Sequence, residues 1–306
     1  MTKLEMAKNL TPKRTIDYQI YCGAASDVLQ ELRAASVDTV MYSPPYFGLR
    51  KGAGYEGEIG NETNVQEYLD NLMEVVHQID RVLKSTGSIW INIADKYYKG
   101  SKMLIPEQLV LRMTREAGLL LRNQIVWAKT SYSARDVRRR FQDSWEGIYW
   151  FTKSMDYWFE KQWIPRTTDP VACVRKIVRR RKEGAFQHLK NERLRTDSFT
   201  AGLHGRLIEE EILDASLRGK PMPDVWRIKC AQDYGDHPAT YPEELCRVPI
   251  LSTCPIGGTV LDPFCGSGTT GRMALDLGRS FIGIEIRPDY AFMAARSLQA
   301  LMEEGA

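Results

Sequence analysis

Four consecutive residues, Ser43-Pro44-Pro45-Tyr46, combine a hydroxyl, two residues without N–H donors and a flat aromatic ring. That set suits chemistry at an amino group on a planar base. The lone pair of such an amine is delocalised into the ring, so it is a poor nucleophile. Acceptors aimed at its hydrogens draw it toward a pyramidal geometry, and the Ser43 hydroxyl and Pro44 carbonyl can be those acceptors. Pro45 restricts Pro44 to extended backbone angles, and neither proline carries an N–H that would compete as a donor. Tyr46 offers a face on which a flipped base can stack, typically worth ~1–3 kcal/mol. The bland alternative is a Pro-Pro turn that ends a strand.

A second constellation lies near the other end of the chain. Asp262-Pro263-Phe264-Cys265-Gly266-Ser267-Gly268-Thr269-Thr270-Gly271 follows the short strand Thr259–Leu261 and opens a helix. Glycines there let the backbone approach a ligand closely and take positive φ, and a helix start offers free N–H groups. Glu285 ends the next strand, 23 residues beyond Asp262, where a carboxylate commonly holds the ribose of a nucleotide-like cofactor. Read literally, Gly266-x-Gly268-x-x-Gly271 is also the dinucleotide fingerprint of a dehydrogenase. The 35 residues after Gly271 are too few for the rest of a dinucleotide domain. Glycines serving helix–strand packing alone remain the bland alternative.

The elements that must position these residues alternate. An apolar run, Val37 to Tyr42, predicts a buried strand stopping at Ser43. Tyr68 to Leu83 has helical spacing, Ser88 to Ala94 reads as a strand, Leu104 to Ala117 as a helix and Gln124 to Ala128 as a strand. Trp145 to Phe151 and Tyr157 to Phe159 read as a hairpin turning at Lys153–Asp156. After Val225 the pattern returns, with strands at Thr259–Leu261 and Ser280–Glu285 and helices at Thr269–Leu277 and Pro288–Met302. Such alternation predicts an α/β fold with a mostly parallel sheet flanked by helices.

With 43% hydrophobic, 26% charged and 10% aromatic residues, the 306-residue chain is globular, and disorder, collagen and coiled coil are excluded as its main architecture. No apolar run reaches the ~20 residues of a membrane helix, and Met1 to Arg14 lacks the apolar stretch of a signal peptide. Six scattered cysteines and four histidines argue against a disulfide framework or a metal site, so a reducing cytoplasm is expected. The net charge of +3 is unevenly spread: residues 165–229 hold 15 Lys and Arg against 9 Asp and Glu. Arg179-Arg180-Arg181-Lys182 is the densest run. An internal basic segment is expected to meet a polyanion, here nucleic acid; the alternative is a solvated helical face.

The tetrapeptide at Ser43 resembles the catalytic motif of amino-methylating DNA methyltransferases, and Asp262 to Gly268 resembles their S-adenosylmethionine loop. The catalytic motif precedes the cofactor loop, an order similar to the β group of that family. Arg50, Gly60-Asn61-Glu62, Tyr68, Arg81 to Lys84, Gly87 to Asp95, Arg122 to Lys129, Glu146, Phe151 to Ser154 and His237 to Leu245 extend the match. About 240 of the 306 residues are covered. The resemblance implies a Rossmann-like, S-adenosylmethionine-dependent methyltransferase fold with permuted motif order. It implies catalysis by Ser43, Pro44, Pro45 and Tyr46. Asp262, Phe264, Gly266, Gly268 and Thr269 would line the cofactor, Glu285 would hold its ribose, and Ala239, Thr240 and Tyr241 would close over its methionine end. Residues 1–164 and 230–306 become two halves of one catalytic domain. The basic 165–229 becomes a target-recognition insert in which Arg179, Arg180, Arg181 and Lys182 meet duplex DNA. The chain departs from the family at Ala24, at Lys129-Thr130-Ser131 and at Trp145, where relatives often have Asp, Lys-Pro-Asn and His.

The tetrapeptide's Ser is more frequent among cytosine-N4 enzymes and Asp among adenine-N6 enzymes, so N4 methylation is expected and N6 is the alternative. C5 methylation needs a thiolate, usually after proline, and no cysteine here follows proline. Related RNA or protein-amide enzymes usually begin the tetrapeptide with Asn and carry the cofactor loop first. A decayed DNA-binding module would not keep both motifs intact. A homodimer and a cognate restriction endonuclease stay open as partners.

Overall fold

The computed structural model describes residues 16–48, 54–131, 137–165, 217–230 and 241–304. In chain order the elements are β1 (Tyr18–Cys22), α1 (Ala25–Glu31), β2 (Val37–Tyr42), α2 (Val65–Val82) and β3 (Leu83–Ile93). Next come β4 (Tyr97–Tyr98), β5 (Ser101–Lys102), α3 (Ile105–Arg115), β6 (Leu120–Lys129), β7 (Trp145–Thr152) and β8 (Trp163–Ile164). The chain then gives β9 (Lys220–Pro221), β10 (Val225–Ile228), α4 (Glu243–Thr253), β11 (Thr259–Asp262), α5 (Thr269–Asp276), β12 (Ser280–Glu285) and α6 (Pro288–Glu304).

Eight strands form one sheet in the order β1-β12-β11-β2-β3-β7-β6-β10. From β1 to β3 every neighbour is parallel; β7 is antiparallel to both β3 and β6, and β10 is parallel to β6. The sheet is thus mixed but mostly parallel, as expected. All six residues of β2 are buried, which is what a strand covered on both faces requires. On β3 the two faces separate by period 2. Ile89, Ile91 and Ile93 join Val40, Tyr42, Leu72, Ile79, Leu109 and Met113 in the core beneath α1, α2 and α3. On the opposite face, Trp90 Nε1 donates to Thr253 Oγ1 (3.0 Å) and Thr39 Oγ1 to the Thr253 carbonyl (2.7 Å), which holds α4 down.

Local chemistry sets the element ends. Asn64 caps α2 by accepting from the Glu67 N–H at 2.9 Å, and the apolar stripe from Tyr68 to Val82 faces the core. At the lower end of β2, buried Asp38 accepts from Lys84 Nζ (2.7 and 2.8 Å) and from the Thr259 N–H (2.9 Å). One carboxylate thereby ties three neighbouring strands. Three glycines, Gly266 and Gly268 in the loop after β11 and Gly271 in α5, divide the labour. A Cβ on Gly271 would lie 2.6 Å from the Phe281 ring, so that residue allows α5 to seat on β12. Gly268 takes φ +92° against Ala294, and Gly266 takes φ +52° facing open space.

Two sequence expectations change. Tyr157–Phe159 is not a strand, and no hairpin turns at Lys153–Asp156; β7 pairs with β3 and β6 instead. The alternating aromatics of that segment pack on a ring rather than on a ladder: Phe159 stacks on Trp150 at 5.2 Å and Tyr157 meets it edge-on at 5.5 Å. Val225–Ile228, expected at the end of the basic insert, forms β10 of the main sheet. The chain divides into two compact units, one from the residues before Lys161 and after Pro223, the other Lys161–Pro223. Within the second, β8 pairs antiparallel with β9. Arg179, Arg180, Arg181 and Lys182 lie outside the described residues, as do Ala239 and Thr240.

Candidate active site at the carboxyl edge of the sheet

Open α/β sheets bind ligands beyond the carboxyl ends of their strands, where neighbouring connections part. Here β2 continues toward β3 on one side, while β11 and β12 fill the other. A cavity of about 440 Å³ opens at that edge. Ser43, Pro44, Pro45 and Tyr46 line it from the end of β2, and Phe264, Gly266 and Thr269 from the loop after β11. Glu285 at the end of β12 and Tyr241 before α4 complete that side. The two constellations, more than two hundred residues apart in sequence, share one cavity.

The half built on β2 is a polar chain. Ser43 Oγ donates to Tyr46 Oη at 3.3 Å, and Tyr46 Oη donates to Glu146 Oε2 at 3.1 Å. Glu146 also accepts from Asn92 Nδ2 at 3.1 Å and is salt-bridged to Lys129. Burial, reinforced by the Glu146 charge, holds the Tyr46 hydroxyl well above its ordinary range, so it stays protonated. Tyr68 Oη donates to the Pro45 carbonyl at 2.8 Å. The Pro44 carbonyl receives no hydrogen bond from the described residues. Glu146, Lys129 and Asn92 lay inside matched stretches of sequence, but their meeting depends on strand register. β6 sets Trp127 opposite Glu146, and the Lys129 N–H donates to the Ser144 carbonyl at 2.9 Å.

The half built on β11 is a buried scaffold. Asp262 does not line the cavity. Its Oδ2 accepts from Thr270 Oγ1 (2.5 Å) and Tyr241 Oη (3.1 Å), and its Oδ1 from the Phe264 N–H (3.0 Å). Tyr241 and Thr270 hydroxyls are also bonded to each other. Desolvation pushes the Asp262 carboxyl up to about 6, against the lowering effect of those three donors. Gly268 likewise stands behind the lining, against α6. Glu285 does face the cavity; its Oε2 accepts from the Gly266 N–H (2.9 Å) and its Oε1 from the Arg287 N–H (2.9 Å). Arg287 lies over the Tyr290 ring at 4.2 Å, and both line the same wall, although neither belongs to a motif that would single it out. Burial and the Asp262 charge hold the Cys265 thiol well above its usual range, so it is an inert wall and not a nucleophile.

Comparison with known proteins places this geometry. The type II methyltransferase M.SmaI of Serratia marcescens is 28% identical over 304 residues, spanning 90% of this chain and 89% of that protein. The PvuII DNA methyltransferase (cytosine-N4-specific) has the same fold, with a TM-score of 0.64 at 19% identity over 94% of this chain and 92% of that one. The M1.HpyAVI–SAM complex is similar, with a TM-score of 0.53 at 18% identity, over 92% of this chain and 98% of that one. A DNA methylase model, that of the N6/N4 methyltransferases, matches residues 37–296, and the chain belongs to that family.

Proposed function

We propose that the protein is a site-specific DNA methyltransferase that moves a methyl group from S-adenosylmethionine to the exocyclic N4 amine of a cytosine flipped out of duplex DNA. The observation that carries this reading is the single cavity shared by the Ser43–Tyr46 turn and the Phe264–Glu285 wall. The residues present fit the cofactor. Gly266 turns open space toward the cavity where a side chain would stand, and Glu285 presents a carboxylate, a group whose oxygens can each accept more than one bond. When bound, S-adenosylmethionine supplies an electrophilic methyl on a sulfonium centre. Phe264, Gly266, Thr269 and Tyr241 would wall it in and Glu285 would take its ribose hydroxyls. Asp262 and Gly268 would act from behind by holding the loop, and Ala239 and Thr240 would close over the methionine end.

On the other side of the cavity, the flipped base stacks on Tyr46. Ser43 Oγ and the Pro44 carbonyl accept the amine hydrogens and free its lone pair for in-line attack. The methylated amine is cationic and strongly acidic, and its proton leaves to water. The basic insert, with Arg179 to Lys182, would grip the phosphates and read the site. The type II relatives support membership of a restriction–modification pair; a homodimer is a further reading, tested by sedimentation. The deciding experiment is incubation with labelled S-adenosylmethionine and duplex DNA, then nucleoside mass spectrometry. N4-methylcytosine supports the proposal, N6-methyladenine replaces the target base, and 5-methylcytosine overturns the mechanism.

A further inference from the structure

We infer that Glu146 fixes the proton polarity of the Ser43–Tyr46 turn, so that the turn accepts an amine and repels a carbonyl at the same ring position. The inference rests on the amine-methyltransferase reading above, but not on which base is methylated. Salt-bridged to Lys129 and bonded by Asn92 Nδ2, Glu146 is a carboxylate with no proton to give. Tyr46 Oη, 3.1 Å from Glu146 Oε2, must therefore spend its one proton on that bond. Only lone pairs of the phenol oxygen then face Ser43 Oγ at 3.3 Å, so Ser43 in turn donates its one proton to Tyr46. What Ser43 shows the cavity is lone pairs.

The rest of the turn agrees with this polarity. Pro44 and Pro45 have no N–H, and the Pro45 carbonyl is occupied by Tyr68 Oη. Pro44 lines the cavity, and its carbonyl receives no hydrogen bond from the described residues, which leaves it available as another acceptor. An exocyclic amine brings hydrogens to this surface and is matched. A keto oxygen brings lone pairs to lone pairs, and the turn itself has no proton to offer it. Asn92, 1% exposed, guards the orientation, since its amide also donates to the Gly147 carbonyl at 3.2 Å and leaves Glu146 only a donor to meet. Glu146 is a positioning residue: it acts through Tyr46 and Ser43. In Glu146→Leu no acceptor is left for the Tyr46 proton, which can turn toward Ser43 and release the Ser43 proton into the cavity.

The test uses the full-length enzyme, S-adenosylhomocysteine and duplexes carrying the methylated site, once product analysis has identified it. Affinity is measured for the natural duplex and for one with the target amine replaced by a carbonyl: uracil for cytosine, or hypoxanthine for adenine. Comparing the amine-to-carbonyl ratio between proteins cancels the unequal cost of flipping the two bases. Glu146→Leu and Tyr46→Phe, the latter keeping the stacking ring, should each reduce that ratio about tenfold or more relative to wild type. A general loss of structure would weaken both duplexes equally and leave the ratio alone. If wild type methylates an exocyclic amine while both variants, binding S-adenosylhomocysteine normally, keep the wild-type ratio, the polarity inference is overturned alone. If wild type methylates no exocyclic amine, the activity reading falls and this inference with it.

Discussion

The Gly266 N–H donates to Glu285 Oε2 over 2.9 Å, so the loop after β11 hangs from the carboxylate that ends β12. One bond couples the shape of the loop to the group proposed to hold the ribose. Glu285→Ala removes both, and S-adenosylmethionine affinity should fall about a hundredfold, by two charge-assisted bonds of ~1.5 kcal/mol each. Gly266→Val should abolish binding, because a β-branched residue cannot take φ +52° and its side chain would fill the cavity. Calorimetric titration of the folded variants checks both; unchanged affinity in the pair would place the cofactor elsewhere.

Asp262 should leave a signature in stability rather than in direct ligand contact. Its carboxyl is raised from 3.8 to about 6 by desolvation, so the folded protein holds that proton more tightly than the unfolded chain. The resulting stabilisation is full below the ordinary carboxylate range and is lost as pH rises through about 6. Relative to Asp262→Asn, which has no proton to lose, wild type should lose on the order of 2 kcal/mol between pH 4 and pH 7. Urea denaturation of both proteins at the two pH values measures it. A pH-independent difference would mean that Asp262 titrates normally.

Asp38 and Lys84 should matter to the fold and not to the chemistry. Asp38→Ala leaves the Lys84 ammonium and the Thr259 N–H without their acceptor beneath the sheet. Because Lys84 keeps partial access to water, the loss should be about 1–3 kcal/mol, less than for a fully buried pair. Equilibrium denaturation reports this, and cofactor affinity of the folded fraction should match wild type.

The basic run makes a separate prediction. Replacing Arg179, Arg180 and Arg181 with Ala should weaken DNA binding and flatten its salt dependence, by ~0.9 in log–log slope for each phosphate no longer neutralised. Affinity for S-adenosylmethionine should be unaffected. A slope equal to wild type would make the run a solvated face.

The parallel core was legible because buried strands and amphipathic helices carry their own periods. Val37–Tyr42, Thr259–Asp262 and Ser280–Glu285 are largely apolar runs with Pro or Gly within three residues of an end, and each is a strand. β1 and α1 were not: α1 has seven residues and no side-chain cap, too little pattern for a signal. At Tyr157–Phe159 the residue types of a strand were present, but Tyr157 and Phe159 pack on Trp150 and join no ladder. In the site, residue type identified the Ser43 turn and the glycine loop. Direction was another matter. That Asp262 faces Tyr241 and Thr270, or that Lys129 reaches Glu146, depends on packing and register that no local pattern encodes.

The strand order has a consequence for synthesis. In the finished sheet β1 and β2 are separated by β12 and β11, which leave the ribosome after the other described strands of that sheet. Until they arrive, the nascent chain holds β2 with one edge unpaired and β1 with no partner in the sheet. Pairing Tyr18–Cys22 with Phe281–Glu285 joins residues some 263 positions apart, so the wall proposed to hold the cofactor forms late in folding. A chain that stalls before β11 carries the Ser43–Tyr46 turn but no wall to work against, and its open edge is a template for association with another unfinished copy.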